Sequence, residues 1–213
     1  MKDKKDAVDV RKFDFEIRAS SAADGAEGPV VLEGYAARFD QWSEDLGGFR
    51  ERLKPGAFKN ALRVSDVRAL YNHDTNQLPL GRTPKTLRLL EDPKGLWVEI
   101  DLPDTQAARD LKISIDRKDI REMSFGFTVA DDGDEWKEKD GMVSRTITSV
   151  AELYDVSPVV YPAYTSTKIA VRTAEKLNEV RAAGIGGADG GGIASGDEGA
   201  NLEIDILTIN RRI

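Results

Sequence analysis

"EMSFGFTV", residues 122–129, alternates bulky apolar residues with small ones. In an extended strand successive side chains point to opposite faces. Met123, Phe125 and Phe127 then share one face, and Ser124, Gly126 and Thr128 share the other. The aromatic face anchors a core. The small face leaves open space in front of the Ser124 hydroxyl, as access to a substrate requires.

Outward from this strand the same period recurs. "RKFDFEIRA" alternates Phe13, Phe15 and Ile17 with charged residues, and "VVLEGYAARFD" reads as the next strand, with Gly34 as a bulge or close approach. A short strand around Phe49–Leu53 precedes a short helix with Pro55 in its first turn. "DVRALYN" reads as a buried strand ending at Asn72-His73. "KTLRLLEDPKGLWVEIDLP" is a hairpin turning at "EDPKG", its second arm alternating Leu96, Val98, Ile100 and Leu102. "DTQAARDLKISIDRKDI" is the best helix, capped by Asp104 or Thr105 and carrying a buried stripe of Ala108, Leu111 and Ile115. "RTITSVAELYDVSPVVYP" reads as one more strand, separated from "EMSFGFTV" by an acidic loop, "ADDGDEWKEKDGM". The fold class is α+β: a β-rich core with a few flanking helices.

Composition divides the chain further. An N-terminal arm takes residues 1–11, the folded domain 12–172, and a polar helix 173–183. A linker follows at 184–200, with eight glycines among the sixteen residues from Gly184 to Gly199. A Gly-rich coil of that length spans roughly 20–24 Å. Residues 201–213, "NLEIDILTINRRI", are apolar again, as in a docking or self-processing segment.

The 213 residues carry a net charge of −7, and 40% of them are hydrophobic. An acidic balance gives no support for nucleic-acid binding. No run approaches the ~20 apolar residues of a membrane span, and no signal peptide opens the chain. The absence of cysteine excludes disulfides and thiolate chemistry, and one histidine argues against a zinc site.

Serine chemistry remains open to such a chain. A serine hydroxyl needs a base within hydrogen-bond reach, and the base needs an orienting group. His73, in "ALYNHDTNQLPLGRT", is the one imidazole and so has no competitor as base. Ser124 stands out as nucleophile. Two acids in "AELYDVSPVV", Glu152 and Asp155, sit in an otherwise apolar strand where an unpaired carboxylate is costly. Alternation puts Leu153, Asp155 and Ser157 on one face and Glu152, Tyr154 and Val156 on the other. Only one acid then faces the site, unless a bulge intervenes.

In this order and at these distances, "YNHDTNQLPLGRT", "GLWVEIDLPDT", "EMSFGF" and "LYDVSPVVYPAY" resemble the head-maturation (prohead) serine proteases of tailed bacteriophages. The likeness runs from about Gly34 to about Val171. It implies a barrel-like core of antiparallel strands similar to herpesvirus assemblin, with 12–172 as the protease domain. It implies a serine endopeptidase that cuts the scaffold, or the scaffolding segment of the capsid protein, and then itself. Carried over, the histidine of "NHD" is His73, the serine of "MSFGF" is Ser124, and the acid before "VS" is Asp155, with Glu152 as the alternative third member. The herpesvirus enzymes use a second histidine there, which this chain does not have. The run "IDRKDIREM" departs from the family, which often has glycine before the serine. The implied partners are the major capsid protein or its scaffold and a second copy of the chain. No cofactor is expected, and the implied place of action is the immature capsid in the host cytoplasm. The competing reading is a non-enzymatic capsid assembly factor on the same fold.

Overall fold

The alternating stretches form strands, and long-range pairing decides how they join. The computed structural model describes residues 8–13, 17–20, 30–161 and 171–185. Strands β1 (Asp9–Phe13), β2 (Arg18–Ser20), β3 (Val31–Arg38) and β4 (Phe49–Leu53) come first, followed by helix α1 (Ala61–Val64). Next are β5 (Arg68–Ala69), β6 (Gly81–Arg82), β7 (Leu87–Glu91), β8 (Gly95–Asp101) and helix α2 (Gln106–Asp116). The series closes with β9 (Glu122–Val129), β10 (Asp134–Lys139), β11 (Met142–Ile147), β12 (Val150–Val159) and helix α3 (Val171–Ile185).

The strands make three sheets, in the orders β1-β9-β12-β5-β6, β2-β3-β8-β7 and β10-β11-β4. The α+β class is as expected. Among the described residues the pairings close no barrel, and β4 with β11 and β5 with β12 run parallel. Both parallel pairs join strands far apart in sequence, so no hairpin fixes their direction.

The aromatic face of β9 lies in the main core. Phe125 and Phe127 are fully buried, stacked at 4.9 Å, and Phe58 packs edge-on against Phe125 at 5.6 Å. Burying each such ring contributes roughly 1.5–3 kcal/mol. Leu96, Val98, Ile100 and Leu102 enter the same core, as their alternation requires. So do Ala108, Leu111 and Ile115 of α2, whose first turn is capped by Thr105 accepting from the Ala108 N–H at 3.3 Å.

The "acidic loop" is where the sequence reading fails. Residues 134–139 form β10, paired with β11 around Asp140 (φ 54°) and Gly141 (φ 77°). Two successive left-handed residues make the tight turn that suits a twisted hairpin, and Asp-Gly is its preferred pair. Trp136 then packs on Phe49 at 5.0 Å and anchors the strand despite its charges.

One more feature ties the sheets together. The Arg11 guanidinium of β1 pairs with Asp9 at 3.2 Å and with Glu51 of β4. Arg145 of β11 reaches Asp9 (3.4 Å), Glu51 (3.3 Å) and Asp134 (2.7 Å). Burial works against the charge of Arg11, but the Glu51 and Asp9 carboxylates outweigh it and hold its pKa above the ordinary value. The C-terminal linker and tail, 184–213, lie outside the described residues except for the end of α3, as does most of the N-terminal arm.

Candidate active site

His73 stands in the turn after β5, and that turn is stitched to β12. The Leu70 N–H donates to the Val156 carbonyl (3.1 Å), and the Asn72 N–H to the Pro158 carbonyl (3.0 Å). The Val160 N–H returns a bond to Asn72 Oδ1 at 2.9 Å. Asn72 (φ 53°) and His73 (φ 57°) are both left-handed, a conformation in which Asn and His are over-represented among non-glycine residues but which still costs energy. Asp74 closes the turn by accepting from the Asn76 backbone N–H (2.9 Å), the Asn76 side chain (3.0 Å) and Gln77 (2.9 Å). These bonds hold the Asp74 carboxyl below the ordinary carboxylate range, the Asn76 N–H most of all.

The strained turn aims the imidazole at β12. His73 Nδ1 lies 2.6 Å from Asp155 Oδ2. An ionised carboxylate only accepts, so the ring facing it donates from Nδ1, and in the neutral imidazole the lone pair is then on Nε2. Nε2 is buried and has no hydrogen-bond partner. A neutral imidazole with a held Nδ1–H and a free Nε2 is a general base waiting for a proton donor.

Asp155 reaches His73 because the strand breaks its own alternation. Leu153 stands opposite Phe127 and Asp155 opposite Gly126, with a bulge at Tyr154 between them. The bulge therefore sends Leu153 into the core and Asp155 to the other face, which corrects the simple alternation. A second irregularity lets Glu152 stand opposite Thr128, so both acids lie on the Ser124 side of the sheet. They are not equivalent. Glu152 is exposed, whereas the Asp155 side chain is 13% exposed and holds the histidine.

Gly126 gives Asp155 its room. A Cβ built there would fall 2.6 Å from Asp155 Oδ1. Ser157, two residues along β12, donates its hydroxyl to Asp155 Oδ2 at 2.6 Å. Its part went unread in the sequence, although the i, i+2 spacing in "DVS" already places it beside Asp155.

Ser124 stands opposite Ser157 on the same face, but not in open space. It is fully buried (0% exposed), and its hydroxyl donates to the Arg11 carbonyl of β1 at 2.8 Å. The expectation of an open face fails: the Ser124 hydroxyl is turned to β1, which pairs with Met123–Phe127 and places Lys12 opposite Ser124. In this conformation Ser124 and His73 are not bonded to each other. Gly81 and Arg82 form strand β6, and the Arg82 N–H is given to the Thr86 hydroxyl at 3.0 Å. Among the described residues no cluster of three or more His, Asp or Glu is arranged to hold a metal, and no helix is long and apolar enough to cross a membrane.

A histidine–aspartate pair on a sheet face that also carries a serine is an arrangement that serine hydrolases use. The family described as caudovirus prohead serine protease matches residues 13–182. The chain belongs to that family and is a serine protease. It is 33% identical over 178 residues to the prohead protease of Enterobacteria phage HK97, covering 82% of this chain and 73% of that protein. Among solved structures it is similar to the bacteriophage T4 capsid assembly protease, gp21, at 9% identity and a TM-score of 0.46, over 75% of this chain and all of that one.

Proposed function

We propose that the chain is a serine endopeptidase of phage head maturation, with Ser124 as nucleophile, His73 as general base and Asp155 as the orienting acid. The observation that carries this reading is the 2.6 Å bond from His73 Nδ1 to Asp155, with Nε2 buried and unpartnered on the side of the sheet that presents Ser124. The Ser124 hydroxyl turns from the Arg11 carbonyl to His73 Nε2, which takes its proton as the oxygen attacks the scissile carbonyl. His73 then gives that proton to the leaving amine. Asp155 keeps the tautomer and stabilises the imidazolium. Such alignment commonly tightens only when substrate is bound.

The substrates are the scaffold protein or the scaffolding segment of the major capsid protein, and then the enzyme's own chain. The working form is a homodimer inside the immature capsid, in the host cytoplasm, with an assemblin-like arrangement of the sheets. The chemistry needs no cofactor. Family membership and the likeness to a prohead protease support this reading. Co-expression with the phage's capsid and scaffold proteins, followed by mass spectrometry of all fragments, tests it. Defined cuts that vanish with Ser124→Ala are expected. Intact partners beside the folded wild-type enzyme, or cuts that persist in Ser124→Ala, would overturn it. Labelling of Ser124 by a fluorophosphonate separates the protease from an inactive assembly factor.

A further inference from the structure

We infer that Ser157 is a positioning residue of the catalytic site, acting through Asp155; the inference rests on the triad proposed above. Two donors meet on one oxygen. Asp155 Oδ2 receives the His73 Nδ1–H at 2.6 Å and the Ser157 hydroxyl at 2.6 Å. The other oxygen, Oδ1, lies over the bare backbone of Gly126. With Ser157 at one side and Gly126 beneath, the carboxylate is held against the imidazole. Ser157 is fully buried and stands opposite Ser124 in the register, so it is not a solvated strand serine that happens to lie near an acid.

The bond has two effects. It fixes the rotamer of Asp155, and it withdraws charge from the oxygen that faces His73. A carboxylate relieved of that bond holds the imidazole proton more tightly. Few other charges face this group. From β5, Arg68 stands opposite Asp155 but pairs with Asp66 at 3.0 Å. On β12 itself Glu152 is exposed, and β9 presents the half-buried Glu122 together with Ser124, Gly126 and Thr128. Lys12 of β1 occupies the register position opposite Ser124.

The test uses the full chain and a fluorophosphonate probe, so no substrate need be known. The second-order rate of Ser124 phosphonylation is measured against pH for wild type, Ser157→Ala and Ser157→Thr. The ring nitrogens of His73, the one histidine, are followed by NMR. In Ser157→Ala the rate should fall roughly 10-fold, the scale of one hydrogen bond to a charged group. The acid limb of the profile should move to higher pH. The wild-type spectrum should show one tautomer, protonated at Nδ1, and Ser157→Ala a mixture. Ser157→Thr, which keeps the hydroxyl, should recover most of the rate and the single tautomer. A Ser157→Ala protein with wild-type rate, an unmoved limb and an unchanged ring spectrum would overturn the inference. Should the probe react with no form, the triad falls, while the ring spectra still decide whether Ser157 sets the tautomer of His73.

Discussion

Gly126→Ala puts one methyl group where the carboxylate of Asp155 lies. The added Cβ would sit 2.6 Å from Oδ1 and 3.5 Å from Val8 Cγ1. Ordinary carbon–oxygen contact begins near ~3.4 Å, so Asp155 must retreat by about 0.8 Å. A retreat of that size along the His73 bond stretches it from 2.6 Å to the edge of hydrogen bonding. Misplacing a catalytic group by ~1 Å costs on the order of 10²-fold, and loss of the orienting acid up to ~10⁴-fold. We expect phosphonylation of Ser124 to slow by about 10- to 100-fold. The fold should not suffer, because Gly126 does not have a positive φ, and alanine in a strand is favoured over glycine by roughly 0.5–1 kcal/mol. The assay pairs the labelling rate with a thermal melt, and repeats both in the Asp155→Asn background. There the methyl group should add little further loss, since the contact it disturbs is already disabled. Wild-type labelling in a folded Gly126→Ala protein would refute the claim that the placement of Asp155 matters. Full additivity in the double variant would refute the claim that Gly126 acts through Asp155.

Other expectations follow from the same geometry. Asp155→Asn should slow labelling by up to ~10⁴-fold and Glu152→Gln by less than ~10-fold; the reverse order would transfer the orienting role to Glu152. Asp74, held below its ordinary pKa chiefly by the Asn76 N–H, stabilises the His73 turn above the unfolded carboxylate value of ~3.9, and that contribution is lost only as pH falls through the lower folded value. The Asn76 amide signal should therefore stay put between pH 7 and 5 while activity declines; an amide that moves with the rate would show the turn opening instead. Arg145→Ala leaves the buried carboxylates of Asp9 and Glu51 to share Arg11 and takes a cation from the half-buried Asp134, and should lower stability by about 3–5 kcal/mol, seen as a melting temperature reduced by roughly 10 °C. An unchanged melt would mean the carboxylates are protonated or solvated without it.

Short-range pattern was legible in the sequence, and long-range pairing was not. The two faces of "EMSFGFTV", the buried arm from Leu96 to Leu102 and the stripe on α2 follow from the period of the backbone, and each lies where the pattern puts it. The structure also brings His73 and Asp155 together, the histidine and acid singled out by chemical type and by resemblance. What escaped depends on partners remote in the chain. Ser124 looks open until β1, over a hundred residues earlier, pairs beside it and offers the Arg11 carbonyl. The face of Asp155 turns on a bulge at Tyr154, where the Leu153 N–H is drawn to Ser65 at the end of α1. Strand β10 was missed for a different reason: its charges obscured an Asp-Gly hairpin whose stability comes from Trp136 packing on Phe49.

The parallel pairing of β5 with β12 also works as a clock. The His73 turn is complete early in synthesis, yet every bond that anchors it from outside comes from Val156, Pro158 and Val160, and its carboxylate comes from Asp155. A nascent chain that has exposed β9 but not β12 holds the serine against β1 but lacks the carboxylate that orients the histidine. The His73–Asp155 pair of the proposed triad is therefore assembled only when the strand ending at Val159 docks.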